Sequence, residues 1–336
     1  MYIVTGGAGF IGSNLVHELN AHGITNILIV DNFANAKKFT NLHGARYVDY
    51  LDKREFRRAI SDRNGSSSRE LGNVEAIFHQ GACSNTLEDD GVYMMDNNFE
   101  YTKDVLRFAI KEGAPLVFAS TAAVYGLSGP GRFTLTLENE RPLNIYGYSK
   151  LAFDHYFRNE LVLERVPITA VGLRYFNVYG PREHHKGRMA SVIHHFTKQM
   201  KETGKVRLFA GTGGYEDGEQ RRDFVYVRDL ARLNMFFAQV GPFAPNVGKP
   251  KREYRGLANA GSGKSRTFND VARSLMTVHG ECPIEYIPFP VDLEGRYQHF
   301  TEADLTALRG LGYKGEMTEL EAGITETYAT LAEIGE

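Results

Sequence analysis

The sequence predicts an α/β fold, in which a doubly wound parallel sheet is followed by a smaller C-terminal α/β lobe. The first supporting observation is a strand–turn–helix–strand unit at the start of the chain, which implies parallel strands joined by a right-handed crossover. The second is that apolar strands and helices keep alternating as far as about residue 177. The third is that the alternation weakens after Gly180, where Pro, Gly and charged residues interrupt the helices.

The separate segments support this interpretation in chain order. YIVT predicts a strand followed by glycines, and Ile11, Leu15 and Leu19 then fall on one helical stripe that stops at Gly23. NILIVDN, EAIFHQGA and PLVFAST predict three further strands, with a helix over residues 97–112 before the last of them. ITAVGLRYFNVYG predicts another strand, and the polar run SDRNGSSSRE predicts a surface loop.

We therefore expect a Rossmann-type dinucleotide-binding domain over residues 1–177 and a mainly substrate-binding domain over residues 178–336. The segment RRDFVYVRDLARLNMFFAQ predicts a strand and a helix. This segment, about residues 222–240, is expected to return to the first sheet and complete it.

Composition excludes several classes of protein. The chain has 39 Lys and Arg against 41 Asp and Glu, and no long basic run, so we expect no nucleic-acid partner. No apolar run approaches the ~18 residues of a membrane span, and the start MYIVTGGAGF does not resemble a signal peptide. Two cysteines form neither a disulfide framework nor a metal-ligand spacing, so we expect a cytoplasmic protein.

A glycine motif between the first strand and the first helix predicts a dinucleotide site. Gly6, Gly9 and Gly12 form G-x-x-G-x-x-G, which permits a tight turn and lets the backbone approach a pyrophosphate. Asp31, at the end of the second strand, could bind a ribose 2′-hydroxyl, whereas Lys38 and Lys53 could neutralise a 2′-phosphate. These charges alone leave NAD and NADP open. A second glycine-rich run, AGSGKS, resembles the end of the phosphate-binding motif G-x-x-x-x-G-K-S. That motif would need a glycine at position 258, where this chain has alanine, so the run predicts only a turn before a helix.

The motif YGYSK places Tyr146 and Lys150 four residues apart, on one face of a helix, while Tyr148 points elsewhere. A phenol with a pKa near 10 must have it lowered by about three units to act as a base at neutral pH, which requires roughly 4 kcal/mol. A lysine ammonium and an oxidised nicotinamide together could supply this stabilisation. Thr121, after a strand, could hold a substrate hydroxyl or could simply cap a helix.

Three motifs, TGGAGFIG, STAAVYG and YGYSK, together resemble the extended short-chain dehydrogenase/reductase family over most of the chain. The phrases GACSNT, YMMDNN, FNVYGPREHHKGRMASV, RRDFVYV and IEYIPFPVDLEGRYQHFTEADL resemble, more narrowly, its ADP-glyceromanno-heptose 6-epimerase branch. This resemblance implies epimerisation at C6″ of an ADP-heptose through a transient ketone, in bacterial lipopolysaccharide-core synthesis. It also implies a homo-oligomer, specifically a homopentamer.

The resemblance further implies a set of site residues. The catalytic residues would be Thr121, Tyr146, Lys150 and Lys186, with Tyr146 exchanging the proton during hydride transfer. The cofactor would be NADP, with NAD as the alternative, held by Gly6, Gly9, Phe10, Ile11, Gly12, Asp31, Asn32, Lys38, Lys53, Gln80, Gly81, Ala82, Cys83, Ser84, Asn97, Lys150, Val178 and Lys186. The substrate would contact Asn177, Arg188, His195, Phe209, Ala210, Gly211, Thr212, Arg222 and Tyr297.

Epimerisation needs a proton donor for each orientation of the ketone, and the resemblance assigns the second one to Lys186, which could otherwise only bind diphosphate. Arg222 suits a bidentate phosphate contact, but Arg221 could do the same, and Arg222 could instead pair with Asp223 or Asp229. Arg188 stands where some family members have a small hydroxylated residue, and it could reach a phosphate. No metal site is predicted, because no Asp, Glu or Cys completes a zinc spacing with the clustered histidines 184, 185, 194 and 195.

Other readings of the sequence are a UDP-hexose 4-epimerase, a hexose 4,6-dehydratase and a non-catalytic NADP-sensing protein. A dehydratase needs an Asp-Glu pair directly after the position of Thr121, where this chain has Ala122 and Ala123. The phrase REHHKGRMAS does not resemble the 4-epimerase. A sensing protein commonly loses the Tyr/Lys pair, which this chain keeps.

Overall fold

The computed structural model describes residues 1–61, 71–290 and 297–334. The β-strands are β1 Tyr2–Thr5, β2 Ile27–Asp31, β3 Asp49–Asp52, β4 Ala76–His79, β5 Leu116–Thr121, β6 Ala170–Tyr175, β7 Asn177–Tyr179, β8 Val206–Phe209, β9 Arg221–Tyr226, β10 Arg255–Ala260, β11 Ser265–Thr267 and β12 Ile284–Ile287. The α-helices are α1 Phe10–Ala21, α2 Lys53–Ser61, α3 Gly91–Met94, α4 Tyr101–Glu112, α5 Ile145–Val162, α6 Val192–Thr203, α7 Val227–Ala238, α8 Phe268–His279, α9 Thr306–Gly310 and α10 Leu320–Ile334. Short 3₁₀ helices cover Ala36–Leu42, Ala122–Tyr125, Leu137–Asn139, His184–Met189 and Gly241–Phe243, and a π-helix covers Met95–Glu100.

The main sheet has seven strands in the order β10-β6-β5-β4-β1-β2-β3, and all of its pairings are parallel. This is the Rossmann strand order with one extra strand at the edge, so the predicted fold class is confirmed. The order reverses between β1 and β4, and ligands of open α/β sheets bind at the carboxyl ends of the strands beside such a reversal.

Helices bury both faces of this sheet because successive strand residues point to opposite sides. On β1, Val4 packs with Leu15 and Leu19 of α1, in the core that also contains α7. Its neighbour Ile3 packs in a second core, together with Phe56 of α2 and side chains of α4 and α5. The near-continuous apolar strands of the sequence follow from this two-sided burial.

Two small sheets lie beyond the main one, with strand orders β11-β9-β7 and β12-β8. The single strand expected over ITAVGLRYFNVYG is divided: β6 ends at Tyr175, and β7 leaves the main sheet to pair with β9. The segment expected to complete the main sheet is also divided, since α7 packs against α1 whereas β9 stays in the smaller sheet. The edge of the main sheet is instead extended by β10, and the division at residue 177 stays a prediction.

The helix expected over residues 97–112 begins as the π-helix and continues as α4. The loop expected at SDRNGSSSRE lies outside the described residues, apart from Ser61 at the end of α2. Within the described ranges, the helices are too short or too polar to cross a membrane.

Candidate active site

A cleft of about 1320 Å³ opens at the carboxyl ends of the main-sheet strands. Almost all of the site residues that the sequence predicts line it, although they come from elements far apart in the chain. The loops after β1, β2, β4 and β5, the start of α5 and the segment after β7 all contribute. The cleft therefore joins the predicted dinucleotide site and the predicted catalytic pair.

The glycine loop after β1 approaches its neighbours too closely for side chains. Gly6 has φ +67°, and a Cβ there would lie 2.7 Å from the nitrogen of Gly81 in the loop after β4. A Cβ on Gly12 would lie 2.1 Å from the carbonyl oxygen of Gly6. The backbone can therefore be approached closely at the start of α1, where a helix has N–H groups without intrahelical partners, as pyrophosphate binding requires.

Asp31 is neutralised within the protein. One carboxylate oxygen accepts the N–H of Ala8 at 2.9 Å, and the other accepts the N–H of Asn32 at 2.6 Å and the ammonium of Lys38 at 2.5 Å. Lys53 lines the same end of the cleft and donates to Asn97 Oδ1 at 2.6 Å. The sequence leaves open whether the negative charge of Asp31 would repel a 2′-phosphate. In the structure the ammonium of Lys38 offsets this charge.

The loop after β4 is held by side chains that the sequence analysis did not select. Asn98, buried in the π-helix, accepts the Cys83 N–H at 2.8 Å and donates to the Cys83 carbonyl at 2.9 Å. It also donates to Ser149 Oγ at 3.0 Å, which ties this loop to α5. The available signal for Asn98 was its position beside Asn97 in the motif YMMDNN. The structure places both residues in a π-helix, an element that occurs frequently at functional sites.

The start of α5 sets the predicted catalytic pair. Asn144 caps the helix by accepting the Gly147 N–H at 2.9 Å, which places Tyr146 in the first turn. Lys150 follows one turn later, is only 4% exposed, and donates to the Ala119 carbonyl at 2.8 Å. Tyr148 is 52% exposed and lies outside the cleft lining, as the spacing predicts.

The electrostatics of this pair differ from the expectation in one respect. Burial raises the pKa of Tyr146, and a hydrogen bond with the Thr121 side chain lowers it only in part. Burial lowers the pKa of Lys150 to about 8, while Asp154 opposes this shift. The protein by itself therefore keeps the phenol protonated at neutral pH, because desolvation outweighs the hydrogen bond with Thr121.

Thr121 combines both roles that the sequence analysis left open. It ends β5 and caps the following 3₁₀ helix, where its Oγ1 accepts the Ala123 N–H at 3.1 Å. Its hydroxyl group also contacts Tyr146 and lines the cleft. The cap thus orients the hydroxyl group toward the phenol.

Arg222 is distinguished from Arg221 by strand alternation. Arg222 and Phe224 of β9 line the cleft, whereas Arg221 donates to Ser265 on β11. Arg222 is 5% exposed, stacks 4.6 Å from the Tyr297 ring and donates to the Arg221 carbonyl at 3.0 Å. Among the described residues no carboxylate pairs with it, so the expected alternative partners Asp223 and Asp229 are excluded.

The glycine-rich run AGSGKS, predicted to be a turn before a helix, donates backbone hydrogen bonds to Asp223. Asp223 accepts the N–H groups of Ser262 and Gly263, at 2.6 and 2.9 Å, and the Ser262 hydroxyl at 2.7 Å. The N–H groups of the AGSGKS turn are thus used by a buried carboxylate, which agrees with its interpretation as a turn.

Lys186 lies over the glycine loop. Its Nζ is 4.7 Å from the Phe10 ring centroid and 3.5 Å from Glu183 Oε2. Glu183 is itself buried and accepts both the N–H and the hydroxyl of Ser191 at 2.6 Å. Other predicted residues from this part of the chain also line the cleft, namely Asn177, Val178, Arg188 and His195.

Two of the clustered histidines, His184 and His185, contact polar side chains of the protein. His184 Nε2 lies 2.8 Å from Thr40 Oγ1, and His185 Nδ1 lies 3.1 Å from Asn41 Nδ2. Over the described ranges, no group of three or more His, Cys, Asp or Glu side chains could hold a metal ion. These contacts join the 184–189 segment to the 3₁₀ helix that follows β2.

Three predicted substrate residues do not line the cleft: Ala210, Gly211 and Thr212. The chain leaves the cleft after Phe209, because the Ala210 N–H continues the pairing with Ile287 at 2.8 Å. The Gly211 N–H then donates to Asp217 Oδ1 at 2.7 Å, so the acidic loop of residues 211–217 closes on itself. In the structure only Phe209 of this stretch lines the cleft.

Several lining residues were not predicted. Tyr175 and Phe176 directly precede Asn177, and Phe268 follows the AGSGKS turn. Gln80 was predicted, but its anchors were not: it accepts from Tyr175 at 2.9 Å and donates to Asn234 at 2.8 Å. The sequence could have indicated Tyr175 and Phe176 through their position beside Asn177. It contained no comparable signal for Phe268 and Asn234.

Fold and cleft together define a nicotinamide-dependent enzyme of the short-chain dehydrogenase/reductase type. The chain belongs to the NAD dependent epimerase/dehydratase family, whose model matches residues 2–248. The resemblance found in the sequence is thereby confirmed, and family membership implies a nicotinamide cofactor.

Similarity to particular relatives extends over the whole chain. It is 51% identical to ADP-L-glycero-D-manno-heptose-6-epimerase of Alkalilimnicola ehrlichii, over 96% of this chain and 95% of the relative. The crystal structure of the Helicobacter pylori ADP-L-glycero-D-manno-heptose-6-epimerase matches with a TM-score of 0.78 and 28% identity, over 98% of this chain and 96% of that one. UDP-glucose 4-epimerase of Thermus thermophilus, in complex with NAD, matches with a TM-score of 0.72 and 28% identity, over 98% of both chains.

Proposed function

We propose that the chain interconverts ADP-D-glycero-D-manno-heptose and ADP-L-glycero-D-manno-heptose, supplying a precursor of the lipopolysaccharide core. The observation that carries the proposal is that one cleft contains the glycine loop, the Tyr146–Lys150 pair and the buried guanidinium of Arg222. These are a dinucleotide site, a proton-transfer pair and a cation for a diphosphate. The 51% identical relative directs the choice of sugar nucleotide.

The residues present fit a nicotinamide dinucleotide. The Gly6 and Gly12 backbone leaves no room for side chains, and α1 begins with free N–H groups at this surface. We propose NADP in preference to NAD, because Lys38 neutralises Asp31 and Lys53 adds a second ammonium nearby. Mass spectrometry of the cofactor released on denaturation tests this choice, and release of NAD alone would refute it.

The proton transfers are assigned to this chain's own side chains. A bound nicotinamide would supply the hydride acceptor and donor and, in its oxidised form, a positive charge. Tyr146 takes the proton of the substrate C6″ hydroxyl as the ketone forms from one epimer, and it returns the proton when the ketone is reduced back to that epimer. In a net inversion a second group donates the proton instead, and both groups are reset by proton exchange with solvent. Thr121 is assigned to the orientation of the phenol toward the substrate C6″ hydroxyl, since its Oγ1 accepts the Ala123 N–H and its hydroxyl group is hydrogen-bonded to Tyr146. Lys150 stabilises the phenolate electrostatically.

Inversion requires the ketone to present its second face, which moves its oxygen away from Tyr146. We assign the second proton donor to Lys186, which lines the same cleft and is held by Glu183 and the Phe10 ring. An ammonium already anchored in this way loses little side-chain entropy when it meets the ketone oxygen. Lys186→Met is expected to lower kcat about 100-fold or more when both proteins are compared at equal cofactor occupancy.

At the substrate end, the guanidinium of Arg222 is assigned to the diphosphate, because a buried cation without a carboxylate partner among the described residues favours an anionic ligand. His195, Asn177 and Arg188 line the same region and are proposed as further polar contacts. Of the 209–212 stretch, only Phe209 is kept in the proposed site.

The direct test is to incubate the purified protein with each ADP-heptose epimer and follow the other by chromatography. We expect interconversion without net absorbance change at 340 nm, because the cofactor is regenerated in each turnover. Accumulating absorbance at 340 nm would indicate a dehydrogenase. Turnover of UDP-glucose but not of ADP-heptose would indicate a UDP-hexose 4-epimerase instead. Homo-oligomeric assembly, as a pentamer, and a cytoplasmic location are also proposed, and light scattering after gel filtration measures the first.

A further inference from the structure

A buried ionic cluster lies directly behind the Tyr146–Lys150 pair. Arg174, fully buried on β6, donates through Nε to Asp154 Oδ2 at 2.8 Å and through Nη2 to Glu140 Oε1 at 2.5 Å. Ser120 on β5 also donates to Asp154 Oδ2, at 2.9 Å. The cluster therefore connects α5 with the two strands whose ends form the floor of the cleft.

Within this cluster, Asp154 is the carboxylate next to Lys150. It follows Lys150 by four residues on α5, so the two side chains occupy the same helix face, one turn apart. Asp154 is fully buried, and its Oδ1 has no hydrogen-bond partner among the described residues. Lys150 is also buried, and its hydrogen bond within the described residues goes to the neutral Ala119 carbonyl. A buried ammonium needs a nearby counter-charge to stay ionised.

We propose that Asp154 is a positioning residue that supplies the counter-charge of Lys150 and so keeps its ammonium beside Tyr146. Arg174 and Ser120 fix the carboxylate in place. Asp154 acts only through Lys150, and this role rests on the proposed function of the Tyr146–Lys150 pair. In agreement with the geometry, burial lowers the pKa of Lys150, and the Asp154 charge opposes the shift, leaving it at about 8.

Other charged and titratable groups around Lys150 are already committed. His79 on β4 is buried between Thr5 and Thr102, and burial together with Lys150 lowers its pKa to about 3, so it is neutral. The other titratable or charged groups on elements around α5 are Cys83 after β4, Tyr93 on α3, Asp96 and Glu100 on the π-helix, Tyr125 on the 3₁₀ helix after β5, Arg174 on β6 and Arg255 on β10. Besides Lys150 and Asp154, α5 itself carries Tyr146, Tyr148, His155, Tyr156, Arg158 and Glu160. Asp96 and Glu100 pair with Arg57 and Lys103.

The test compares pH profiles of kcat for the wild type, Asp154→Asn and Glu140→Gln. If Lys150 must be protonated, wild-type kcat falls as pH rises through about 8. Loss of the opposite charge one turn away is expected to lower the pKa of Lys150 by about one unit. The decrease of kcat at alkaline pH (the alkaline limb) then begins about one pH unit lower. Asp154→Asn then loses about twofold at pH 7 and about eightfold at pH 8.5, with little loss at pH 6. Glu140→Gln is the control, because it removes the other carboxylate that accepts from Arg174. We expect it to lower the stability of the protein and to leave the alkaline limb of the kcat profile where it is in the wild type.

A loss in Asp154→Asn that is equal at all pH values would refute the proposal and leave Asp154 a purely structural residue. Asp154→Glu retains the charge and is expected to restore the wild-type limb. A second readout does not depend on turnover: the Cε resonance of ¹³C-lysine-labelled holoenzyme, assigned to Lys150 by its loss in Lys150→Met. Its titration midpoint should fall in Asp154→Asn, and an unchanged midpoint refutes the proposal even if the enzyme acts on another sugar nucleotide.

Discussion

Arg222 offers the sharpest test of the proposed substrate end. Arg222→Met removes a guanidinium that is 5% exposed and has no carboxylate partner among the described residues. Burying such a charge costs several kcal/mol, which its bond to the Arg221 carbonyl and its stack on Tyr297 offset only in part. We therefore expect the free energy of unfolding to stay unchanged or to rise by about 1 kcal/mol without substrate.

Substrate binding should show the opposite effect. A charge-assisted hydrogen bond to a diphosphate contributes about 1.5–3 kcal/mol, so KM for ADP-heptose should rise about 10- to 150-fold. The diphosphate is remote from the reacting carbon and unchanged by the reaction, so kcat should fall much less than KM rises. Initial rates over a range of ADP-heptose concentrations measure both constants, and thermal unfolding of the free protein measures stability.

Arg221→Met is the matched control, since Arg221 is the neighbouring residue on the other face of β9. Its bonds to Ser265 Oγ at 3.1 Å and Ser265 O at 2.7 Å are lost, which should cost about 1–3 kcal/mol of stability while leaving KM unchanged. A large loss of stability in Arg222→Met, or an unchanged KM, would show that Arg222 is a structural cation and refute its assignment to the diphosphate.

Three further outcomes are expected. Tyr146→Phe should lose at least 100-fold in kcat while retaining cofactor, and Tyr148→Phe, altered at an exposed site on the same helix, should stay near wild type; near-normal turnover of Tyr146→Phe would remove the phenol from the mechanism. Gly12→Ala should abolish cofactor retention, because its Cβ would lie 2.1 Å from the Gly6 carbonyl oxygen; full cofactor content after purification would contradict this. Burial opposes ionisation of Glu140, but hydrogen bonds from Arg158 and Arg174 lower its pKa to about 2. The ionised Glu140 therefore contributes up to about 3 kcal/mol to the free energy of unfolding above the unfolded pKa of about 4.3, and this contribution is lost as pH falls toward 2. In Glu140→Gln the free energy of unfolding should consequently depend less on pH in that range.

Local spacing determined much of the site before any tertiary structure was considered. The Gly6–Gly12 turn and the Tyr146–Lys150 pair depend on neighbours within one turn or one helix, and such patterns are visible along the chain. Five of the seven strands of the main sheet were recognisable for a similar reason, because burial on both faces requires apolar runs. The two edge strands, β3 and β10, were not predicted. Side-chain alternation along β9 would also have separated Arg222 from Arg221 once one of them was known to face the cleft.

Only the tertiary structure decided the features that join distant segments. Pairing between strands far apart in the chain divided ITAVGLRYFNVYG into β6 and β7 and placed β10 at the edge of the main sheet. The closed acidic loop took residues 210–212 out of the cleft. The contacts of Lys38 with Asp31 and of Asp154 with Arg174 depend on where separate elements meet. Desolvation, which sets the pKa of Tyr146 and Lys150, is likewise a property of the folded surroundings, because a sequence motif does not specify how much water reaches it.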